Sequence, residues 1–271
     1  MDEINATTSK KWEQDGYLVL EGFFSREDLE AYEDEWASIL NNRSTQAGQI
    51  TVDALEGELR GRRMRLKDAP DEVISNCAHK VNDLYLESKS CRNLNLNPKL
   101  SALLDRLLGG SPIVINSLSF RKGSQQGSHF DYYYMPPPVD GKMVVTSICL
   151  EDQSEDSGPL FYYPGSHNIP PYAFTSKDFS TVQAEMENAT AYVAEEIQKR
   201  GLQQQSFVGK AGDVFIWHGQ LYHGGLPIQD HNLTRKTLVT HYWRKMDVPG
   251  EMVAETGEDG FYLRRDHQSV G

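Results

Sequence analysis

Cysteine is scarce in this chain of 271 residues, and its pattern excludes two common kinds of site. The three cysteines, Cys77, Cys91 and Cys149, are odd in number, widely spaced and never arranged as Cys-x-x-Cys. A disulfide framework and a structural zinc site are therefore not expected. Apolar runs of transmembrane length are also missing, and the polar start MDEINATTSKKW does not resemble a signal peptide. These absences predict a soluble protein of the reducing cytoplasm.

Positive charge is in short supply as well. The 27 lysines and arginines are outnumbered by 39 aspartates and glutamates, which gives a net charge of −12. Such an acidic chain is a poor match for nucleic acid or an anionic membrane, so we expect a small-molecule partner. Nothing in the sequence indicates the oligomeric state. The exception is the basic cluster RGRRMRLK, Arg60–Lys67, which is explained either as a solvated face or as a handle for an anionic group of a substrate.

The first 110 residues are expected to supply one strand and several helices. The run DGYLVLEGFF, Asp15–Phe24, is typical of a strand, and Ser25 followed by Asp28 fits a helix capping box. The apolar positions that recur on one face of this helix are Leu29, Tyr32, Trp36 and Leu40. A second helix is predicted for NPKLSALLDRLLGG, beginning at Asn97 and ending at Gly109.

The sequence changes character after residue 110. The runs SPIVINSLSF, KMVVTSICL, AGDVFIWH and RKTLVTHYW are short, rich in β-branched and aromatic residues, and separated by turn clusters. This order predicts a mainly β fold with flanking helices, a double-stranded β-helix barrel of the jelly-roll or cupin type. No repeat or linker divides the chain, so we expect a single domain over 1–271. Its parts would be a strand and helices packing on the barrel in 1–110, a jelly-roll core in 111–245 with a helical insert near 181–201, and a tail in 246–271.

The stretch GSHFDYYYMPPP places an imidazole and a carboxylate one residue apart. On a strand, His129 and Asp131 share a face because alternate residues point the same way. A histidine nitrogen and a carboxylate oxygen on one face make two adjacent ligands for a divalent metal. One more histidine would complete the 2-His-1-carboxylate triad of non-haem iron, which leaves open coordination positions. Because His-x-Asp alone is a weak signal, the third ligand decides the interpretation.

The segment AGDVFIWHGQLYHGG contains two candidates for the third ligand. His223 follows a β-rich run and precedes two glycines, which let the backbone approach a site closely. His218 ends the apolar run and is better explained as a core or supporting histidine, and His167 in PGSH is interpreted in the same way. His241 lies in a predicted strand and could face either side. His223 is therefore the predicted third metal ligand.

A cation near the end of the chain adds to the signal. Arg235 follows His223 by 12 residues and opens the run RKTLVTHYW. If the open metal positions chelate the 2-oxo acid end of 2-oxoglutarate, the distal carboxylate needs a cation deeper in the barrel, and a guanidinium can grip it with two hydrogen bonds. Thr237 lies on the same strand face as a second donor. The alternative for Arg235 is a surface ion pair.

The order of four motifs resembles the phytanoyl-CoA dioxygenase family of iron(II)/2-oxoglutarate-dependent oxygenases. The motifs are His-x-Asp, GPLFYYPGSH, GDVFIWHGQLYHGG and TRKTLVTHYW, and the resemblance covers roughly 113–243. It implies a double-stranded β-helix in which His129, Asp131 and His223 hold the catalytic iron(II). It also implies that 2-oxoglutarate and O₂ are co-substrates, and that Arg235 binds the distal carboxylate of 2-oxoglutarate.

Two further cofactor contacts are implied by position. Asn116, ahead of His-x-Asp, matches an asparagine that contacts the co-substrate in related hydroxylases, and Gln126 lies near the same edge; either side chain could instead bond to backbone. Gly225 stands where some members have a serine that binds 2-oxoglutarate, so Thr237 or Asn116 is expected to take over that contact. Related halogenases have a small residue in place of Asp131, so its presence predicts oxidation and not halogenation.

The three tyrosines after Asp131 are assigned by the same strand parity. Tyr133 is expected to point toward the open side of the metal and to contact the substrate. Tyr132 and Tyr134 are expected to point away, unless the strand bulges near Met135 and the three prolines that follow it.

The expected activity is oxidation, most simply hydroxylation, of a small-molecule metabolite, with release of succinate and CO₂ from 2-oxoglutarate. One alternative is a cupin-like metal enzyme that does not use 2-oxoglutarate. Another is a non-catalytic sensor of metal or 2-oxoglutarate. A zinc hydrolase would need a general base near the metal, and the sequence shows no obvious one.

Overall fold

A computed structural model of the chain describes residues 6–46, 48–75, 77–176, 181–256, 260–264 and 270. The α-helices are α1 (Ala6–Asp15), α2 (Arg26–Asn41), α3 (Arg43–Gln46), α4 (Asp71–Ser75), α5 (Lys89–Asn95), α6 (Pro98–Leu108) and α7 (Met186–Arg200). The strands are β1 (Tyr17–Leu20), β2 (Thr51–Ala54), β3 (Arg63–Arg65), β4 (His79–Asn82), β5 (Pro112–Phe120), β6 (Met143–Cys149), β7 (Leu160–Tyr162), β8 (Gln205–Phe207), β9 (Val214–His218), β10 (His223–Gly225), β11 (Thr237–Arg244), β12 (Val253–Thr256) and β13 (Gly260–Leu263).

The described strands form a major and a minor sheet. The major sheet runs in the order β1-β9-β6-β11-β5-β4-β2-β3, and the β12–β13 hairpin joins it because β13 pairs with β5. The minor sheet has the order β10-β7-β8. Neighbours are antiparallel throughout the described residues except for β13 and β5. As far as the described strands go, the two sheets do not close into one continuous barrel.

The major sheet is covered on both faces. One face packs on α2 and α6 in an apolar cluster that includes Tyr32, Trp36, Leu100, Leu104, Val144, Ile148, Leu238 and Tyr242. The opposite face packs on the minor sheet, and this second cluster includes Val145, Phe215, Trp217, Val239, Leu160, Tyr162 and Phe207. We call the side of the major sheet that carries Val145, Trp217 and Val239 the inner face. Side chains placed there lie between the two sheets.

The predicted helix ends are confirmed where the sequence carries a cap. The Ser25 hydroxyl accepts a hydrogen bond from the Asp28 N–H, and the Asp28 carboxylate accepts one from the Ser25 N–H, which makes a complete capping box. Asn97 caps α6, and Gly109 ends it with a φ of 71°, a conformation that glycine adopts without steric cost. On α2, however, Ile39 is buried in place of the expected Leu40, which is only partly buried.

Both ends of the chain contribute more sheet than the sequence indicates. The residues before 110 supply β2, β3 and β4 as well as β1, and 246–271 contains β12 and β13. The strand expected over Asp15–Phe24 is shorter, since α1 extends to Asp15 and β1 ends at Leu20. The prediction that helices come first and strands follow residue 110 is therefore wrong in detail.

The predicted helical insert is present as α7, which lies between β7 and β8 and ends at Gly201. Its buried residues Ala189 and Val193 belong to an aromatic cluster with Phe130, Tyr132, Tyr133, Ile169, Phe174 and Tyr222. The insert therefore packs directly on the segment that carries His129 and Asp131.

The three cysteines are free thiols. Cys91 and Cys149 are fully buried, and Cys77 is partly exposed. Among the described residues, no helix has the length and hydrophobicity that crossing a membrane requires.

Candidate metal centre

The two His-bearing segments meet in one isolated β-bridge. His129 and His223 exchange backbone hydrogen bonds of 2.8 and 3.1 Å, which pairs the loop after β5 with β10 of the minor sheet. Asp131 then begins a single turn of 3-10 helix, Asp131–Tyr133. The prediction that His129 and Asp131 lie on one strand is therefore wrong, because the chain leaves the bridge directly after His129. The two side chains nevertheless converge.

His129, Asp131 and His223 form a compact group of ligand atoms. One ligand atom from each lies within 4.8 Å of the others. His129 Nε2 is 3.5 Å from Asp131 Oδ1, and His223 Nε2 is 3.6 Å from Asp131 Oδ2. Two adjacent ligands that are each about 2.1 Å from a metal lie about 3 Å apart, so one ion can bridge these atoms after small shifts. The side chains fit a 2-His-1-carboxylate iron site.

Backbone carbonyls fix which nitrogen each histidine presents. Nδ1 of His129 lies 2.8 Å from the Gly127 oxygen, and Nδ1 of His223 lies 2.9 Å from the Leu221 oxygen. Nδ1 is therefore the protonated nitrogen in both rings, and Nε2 is the nitrogen whose lone pair can bind a metal. Burial lowers the pKa of His223 to about 4, so this ring is neutral at physiological pH, as a metal ligand must be.

Asp131 is buried, and side chains from two strands, β9 and β11, contact its carboxylate. Its Oδ2 accepts a 2.8 Å hydrogen bond from Trp217 Nε1 on β9, and its Oδ1 lies 3.4 Å from His241 Nε2 on β11. Burial alone would raise the pKa of Asp131, but His223, His241 and the contact with His129 outweigh it and hold the pKa well below the usual range. Asp131 is therefore a carboxylate anion whose orientation is fixed.

His241 and Trp217 are site residues that the sequence did not identify. The register shows that His241 belongs to the inner face, because it lies two residues beyond Val239 on β11. Strand parity alone would have sufficed once one inner-face residue of β11 was known. Trp217 gives no sequence signal beyond its place in the apolar run VFIWH, which is equally typical of a core residue.

Arg235 is a buried cation that lacks a carboxylate partner among the described residues. It is 5% exposed, Nη1 donates to the Gly158 oxygen at 3.0 Å, and Nε has no hydrogen-bond partner. Burial lowers its pKa to about 10, which still leaves it charged at neutral pH. Thr237, two residues along the chain, is fully buried and its hydroxyl also lacks a partner. Unsatisfied buried groups are costly, so this pair fits an anionic ligand with acceptor oxygens.

Asn116 and Gln126 both lie beside the centre. Asn116 is buried on β5 directly opposite His241, and its Nδ2 donates a 2.8 Å hydrogen bond to Asp83 Oδ1. Gln126 Nε2 lies 3.4 Å from His129 Nε2, the nitrogen expected to face the metal. Their predicted contacts with 2-oxoglutarate stay predictions. The structure adds that a buried carboxylate already holds the amide nitrogen of Asn116.

The three tyrosines are arranged differently from the prediction. Tyr133 is buried in the aromatic cluster beside Phe174, and its hydroxyl accepts a hydrogen bond from the Tyr172 N–H at 3.0 Å. Tyr134 is 55% exposed, and its ring centroid lies 5.5 Å from that of His129. Because the segment forms a 3-10 turn, the parity that aimed Tyr133 at the metal does not apply. Tyr134 is the phenol that contacts a triad residue.

The two glycines of β10 leave room for neighbouring groups. A Cβ on Gly224 would lie 2.7 Å from the Phe161 ring, and a Cβ on Gly225 would lie 2.7 Å from Ser124 Oγ. Side chains are therefore excluded at both positions, as expected for close approach of backbone. The Ser124 hydroxyl takes the space that a residue larger than glycine would need at 225.

His218 and His167 lie apart from the triad, as predicted. Their ring centroids are 5.5 Å apart, and His218 Nδ1 accepts a hydrogen bond from the Gln220 N–H at 3.1 Å. Burial lowers the pKa of His218 to about 4. His167 Nε2 lies 3.2 Å from the Glu13 oxygen, so this histidine ties the turn after β7 to α1.

Known proteins resemble this chain in sequence and in fold. The model of the family described as Phytanoyl-CoA dioxygenase (PhyH) matches residues 12–236. The ectoine dioxygenase of Bordetella bronchiseptica is 24% identical over 236 residues, which cover 82% of this chain and 70% of that protein. The family match includes the triad and Arg235 and ends directly before β11, so it covers far more than an isolated motif.

Two solved structures show the same fold at low identity. EctD from S. alaskensis with 2-oxoglutarate and 5-hydroxyectoine has a TM-score of 0.62 and 18% identity, covering 98% of this chain and 86% of that one. The non-heme alpha ketoglutarate dependent epimerase SnoN from nogalamycin biosynthesis has a TM-score of 0.63 and 18% identity, covering 95% and 97%. The predicted fold class, mainly β with flanking helices in a cupin-like jelly roll, is confirmed.

Proposed function

The chain belongs to the phytanoyl-CoA dioxygenase (PhyH) family, and from that membership we propose that it hydroxylates a small-molecule metabolite at the centre formed by His129, Asp131 and His223. It is a non-haem iron(II)/2-oxoglutarate-dependent dioxygenase that uses iron(II), 2-oxoglutarate and O₂. When bound, the iron supplies the oxidising chemistry, and the protein supplies position and exclusion of water. The proposal concerns which residues do this and what is oxidised.

The triad is proposed as the iron ligands because its three atoms already face one another. The carbonyls at Gly127 and Leu221 hold both imidazoles with Nε2 toward the centre. Trp217 and His241 hold the carboxylate of Asp131 from the inner face of the major sheet. Such supporting contacts pre-orient metal ligands and raise metal affinity.

The observation that carries the function is the unpaired guanidinium of Arg235. Its described neighbours leave Nε without a partner, and the buried Thr237 hydroxyl beside it is also free. We assign these two groups to the distal carboxylate of 2-oxoglutarate, with its 2-oxo acid end at the metal. Burial keeps water out, so each charge-assisted hydrogen bond is stronger than it would be at the surface.

Hydroxylation of a small metabolite is the outcome that the chain supports best. One relative that the chain resembles, the ectoine dioxygenase, is named for a small molecule. The net charge of −12 disfavours a large polyanionic partner such as a CoA thioester. Asp131 occupies the position that a halide would need, so halogenation is not expected. We also propose that the protein works in the cytoplasm, where its three free thiols are stable.

The proposal is tested by titrating the protein with iron(II) under anaerobic conditions, with and without 2-oxoglutarate. We expect a weak visible charge-transfer band only when both are present, and succinate formation once O₂ and a suitable metabolite are added. A metabolite screen that follows substrate-stimulated succinate would then identify the compound, and mass spectrometry should show one added oxygen.

Each alternative gives a different result in the same experiment. A metal enzyme that does not use 2-oxoglutarate would bind iron but show no band with 2-oxoglutarate. A non-catalytic sensor would show the band and form no succinate with any metabolite in air. Either result would refute the proposed activity.

A further inference from the structure

A row of charged side chains extends the inner face beyond the metal centre. On β3, β2 and β4, Arg63 lies opposite Asp53 and Asp53 lies opposite Lys80. Two positions further along, Arg65 lies opposite Thr51, which in turn lies opposite Asn82. Residues directly opposite in a ladder point to the same side of a sheet. This part of the basic cluster Arg60–Lys67 is therefore directed by the sheet and is not simply a solvated loop.

The other charged side chains of this row pair with one another. Arg63 donates two hydrogen bonds to Asp53, at 2.6 and 2.7 Å, and Lys80 Nζ lies 3.3 Å from the same carboxylate. Asp83, the other carboxylate that acts on Arg63, is buried and accepts the hydrogen bond from Asn116. Among the described residues of this row, the cations Arg63, Lys80 and Arg65 outnumber the one carboxylate, Asp53, so positive charge is in excess.

Arg65 carries this unbalanced charge. Within the described ranges its guanidinium makes no ion pair, and its Nη1 is buried without a hydrogen-bond partner. A buried polar group without a partner is costly, and a guanidinium normally finds a carboxylate, a phosphate or a carbonyl. Arg235 at the proposed 2-oxoglutarate site likewise has one buried guanidinium nitrogen, Nε, without a partner. Arg65 is therefore a second cation on the inner face that has no anionic partner among the described residues.

The sheet register connects Arg65 with the metal centre. The row continues from Asn82 to Leu118 on β5 and from Leu118 to Val239 on β11. Asn116, two residues from Leu118 on the same strand face, lies directly opposite His241. Three strand spacings of about 4.8 Å place the backbone of Arg65 about 14 Å from that of Leu118. That separation is of the order of the length of a small metabolite together with the arginine side chain.

The middle of this row is open to solvent. Leu118 and Val239 are partly exposed, although both lie in the interior of the major sheet and their neighbours Ser117 and Leu238, on the opposite face, are fully buried. Val239 lies between His241 and Thr237 on β11, so it belongs to the path of the proposed 2-oxoglutarate. Leu118 lies one strand closer to Arg65 and is accessible apolar surface beside that path.

We propose that Arg65 binds an anionic group, a carboxylate or a phosphate, of the molecule that this enzyme oxidises. This inference rests on the proposed function and names the chemical class of its substrate. The anion pairs with the guanidinium, the body of the substrate lies over Leu118 beside 2-oxoglutarate, and the carbon to be oxidised lies at the metal. A guanidinium matches both anions because each can accept two parallel hydrogen bonds.

The test uses matched pairs of small metabolites. Each carboxylic acid is paired with its amide, and each phosphate monoester with its parent alcohol. The holoenzyme is assayed for succinate formation stimulated by each compound, and the metal-free protein is assayed for a rise in Tm, which reports binding without turnover. The variants are Arg65→Gln, Arg65→Lys and, as the matched control, Arg62→Gln, which removes an exposed charge from the same cluster.

In the wild type and in Arg62→Gln, the anionic member of a pair should stimulate succinate formation and raise the Tm more than its neutral partner. Arg65→Gln should lower kcat/KM for the anion by roughly 10- to 100-fold and leave that for the neutral partner unchanged. Arg65→Lys should recover part of the loss. If Arg65 had a purely structural role, Arg65→Gln would lower kcat/KM equally for both compounds of a pair. The ratio of the two kcat/KM values therefore distinguishes binding of the anion from a structural role. If the acid and amide pairs show the difference, the anion is a carboxylate; if the phosphate and alcohol pairs show it, the anion is a phosphate.

The inference is overturned if neutral compounds are as effective as anions, if no anion in either arm is effective, or if Arg62→Gln matches Arg65→Gln. Failure of the proposed function looks different. In that case wild-type protein with iron(II), 2-oxoglutarate and O₂ forms no succinate with any compound, neutral or charged.

Discussion

Three side chains of ordinary chemistry become candidates for iron binding because their neighbours determine which atom each one presents. At the residue scale, Nδ1 of His129 and of His223 each donates a hydrogen bond to a nearby backbone carbonyl, so only Nε2 can bind a metal. Trp217 fixes one oxygen of Asp131 and thereby turns the carboxylate toward both rings. The centre is thus arranged by contacts that no single motif in the sequence contains.

Replacing a proposed ligand should remove the metal. His129→Ala, Asp131→Ala and His223→Ala are each expected to weaken iron(II) binding by more than about 100-fold, because even residues that only orient ligands contribute roughly 10- to 100-fold. Equilibrium dialysis with iron(II) and succinate formation measure the effect. The matched control is His218→Ala. It removes an imidazole that lies outside the triad, so this variant should retain the metal. Full iron occupancy in His223→Ala combined with metal loss in His218→Ala would reverse the assignment.

Arg235→Ala should act on 2-oxoglutarate and not on iron. Removing one partner of a buried ion pair costs about 3–5 kcal/mol, which corresponds to roughly a hundred-fold or greater loss of affinity. We therefore expect the KM for 2-oxoglutarate to rise steeply, while iron(II) affinity measured without 2-oxoglutarate stays nearly constant. Arg235→Lys should recover only part, since an ammonium does not reproduce the planar fork. An unchanged KM would mean that another cation binds the co-substrate; Arg244, already paired with Asp247, is a poor substitute.

At the scale of elements, the centre depends on a three-residue strand. β10 brings His223 to His129 through one isolated bridge, and Gly224 fits against the Phe161 ring and the Gln126 oxygen. The minor sheet can approach the loop this closely only because that position lacks a side chain. Local sequence therefore controls a contact between two distant parts of the chain.

Gly224→Ala should damage both stability and metal binding. The added Cβ would lie 2.7 Å from Phe161 and 2.9 Å from the Gln126 oxygen, and such overpacking costs about 1–3 kcal/mol. Urea unfolding and iron(II) titration measure the two effects. Gly127→Ala is the matched control, since a Cβ there meets nothing within 4 Å. If both variants behaved like the wild type, the close approach of β10 would not matter for the site.

Elements with a strong local signal were predictable from sequence. The apolar β-branched runs correspond to β5, β6, β9 and β11, and the caps of α2 and α6 lie where Ser25 and Asn97 indicate. A cap is a contact between residues two or three positions apart, so the sequence contains it directly. The same holds for α7 and its end at Gly201.

Elements that depend on distant partners were not predictable in this way. β3 reads Arg-Met-Arg and β4 reads His-Lys-Val-Asn, so neither looks like a strand, and each is defined by pairing with its neighbours. Strand alternation does not predict the turn at Asp131–Tyr133, because the pairing that would sustain alternation ends at the bridge at His129. The place of His241 required the register of β11 against β5.

At the scale of the whole molecule, His218 and His223 make the stability of the fold depend on pH. Burial lowers the pKa of both His218 and His223 to about 4, compared with about 6.5 in an unfolded chain. Above pH 6.5 both states are neutral. As the pH falls from 6.5 toward 4, the unfolded chain takes up protons that the folded chain does not, so the folded state loses stability.

The metal-free protein should therefore unfold more easily as the pH falls through this window. Each histidine contributes up to about 1.4 kcal/mol per pH unit to the slope of the unfolding free energy. Urea unfolding at several pH values measures the slope, and His218→Gln should make it shallower. His231→Gln, at an exposed position, should leave it unchanged. Identical slopes for His218→Gln and wild type would attribute the pH dependence to other groups.

The burial of the thiols has a consequence for an enzyme that handles O₂. Oxidation of cysteine to sulfenic acid and beyond requires a thiolate that oxidants can reach. Cys91 and Cys149 are fully buried, and burial raises the pKa of Cys149 to about 12 and that of Cys91 further still. Burial also raises the pKa of Cys77, the partly exposed thiol. Oxidants released by abortive turnover therefore find Cys91 and Cys149 both unreachable and protonated, which leaves Cys77 as the described thiol that is open to oxidation.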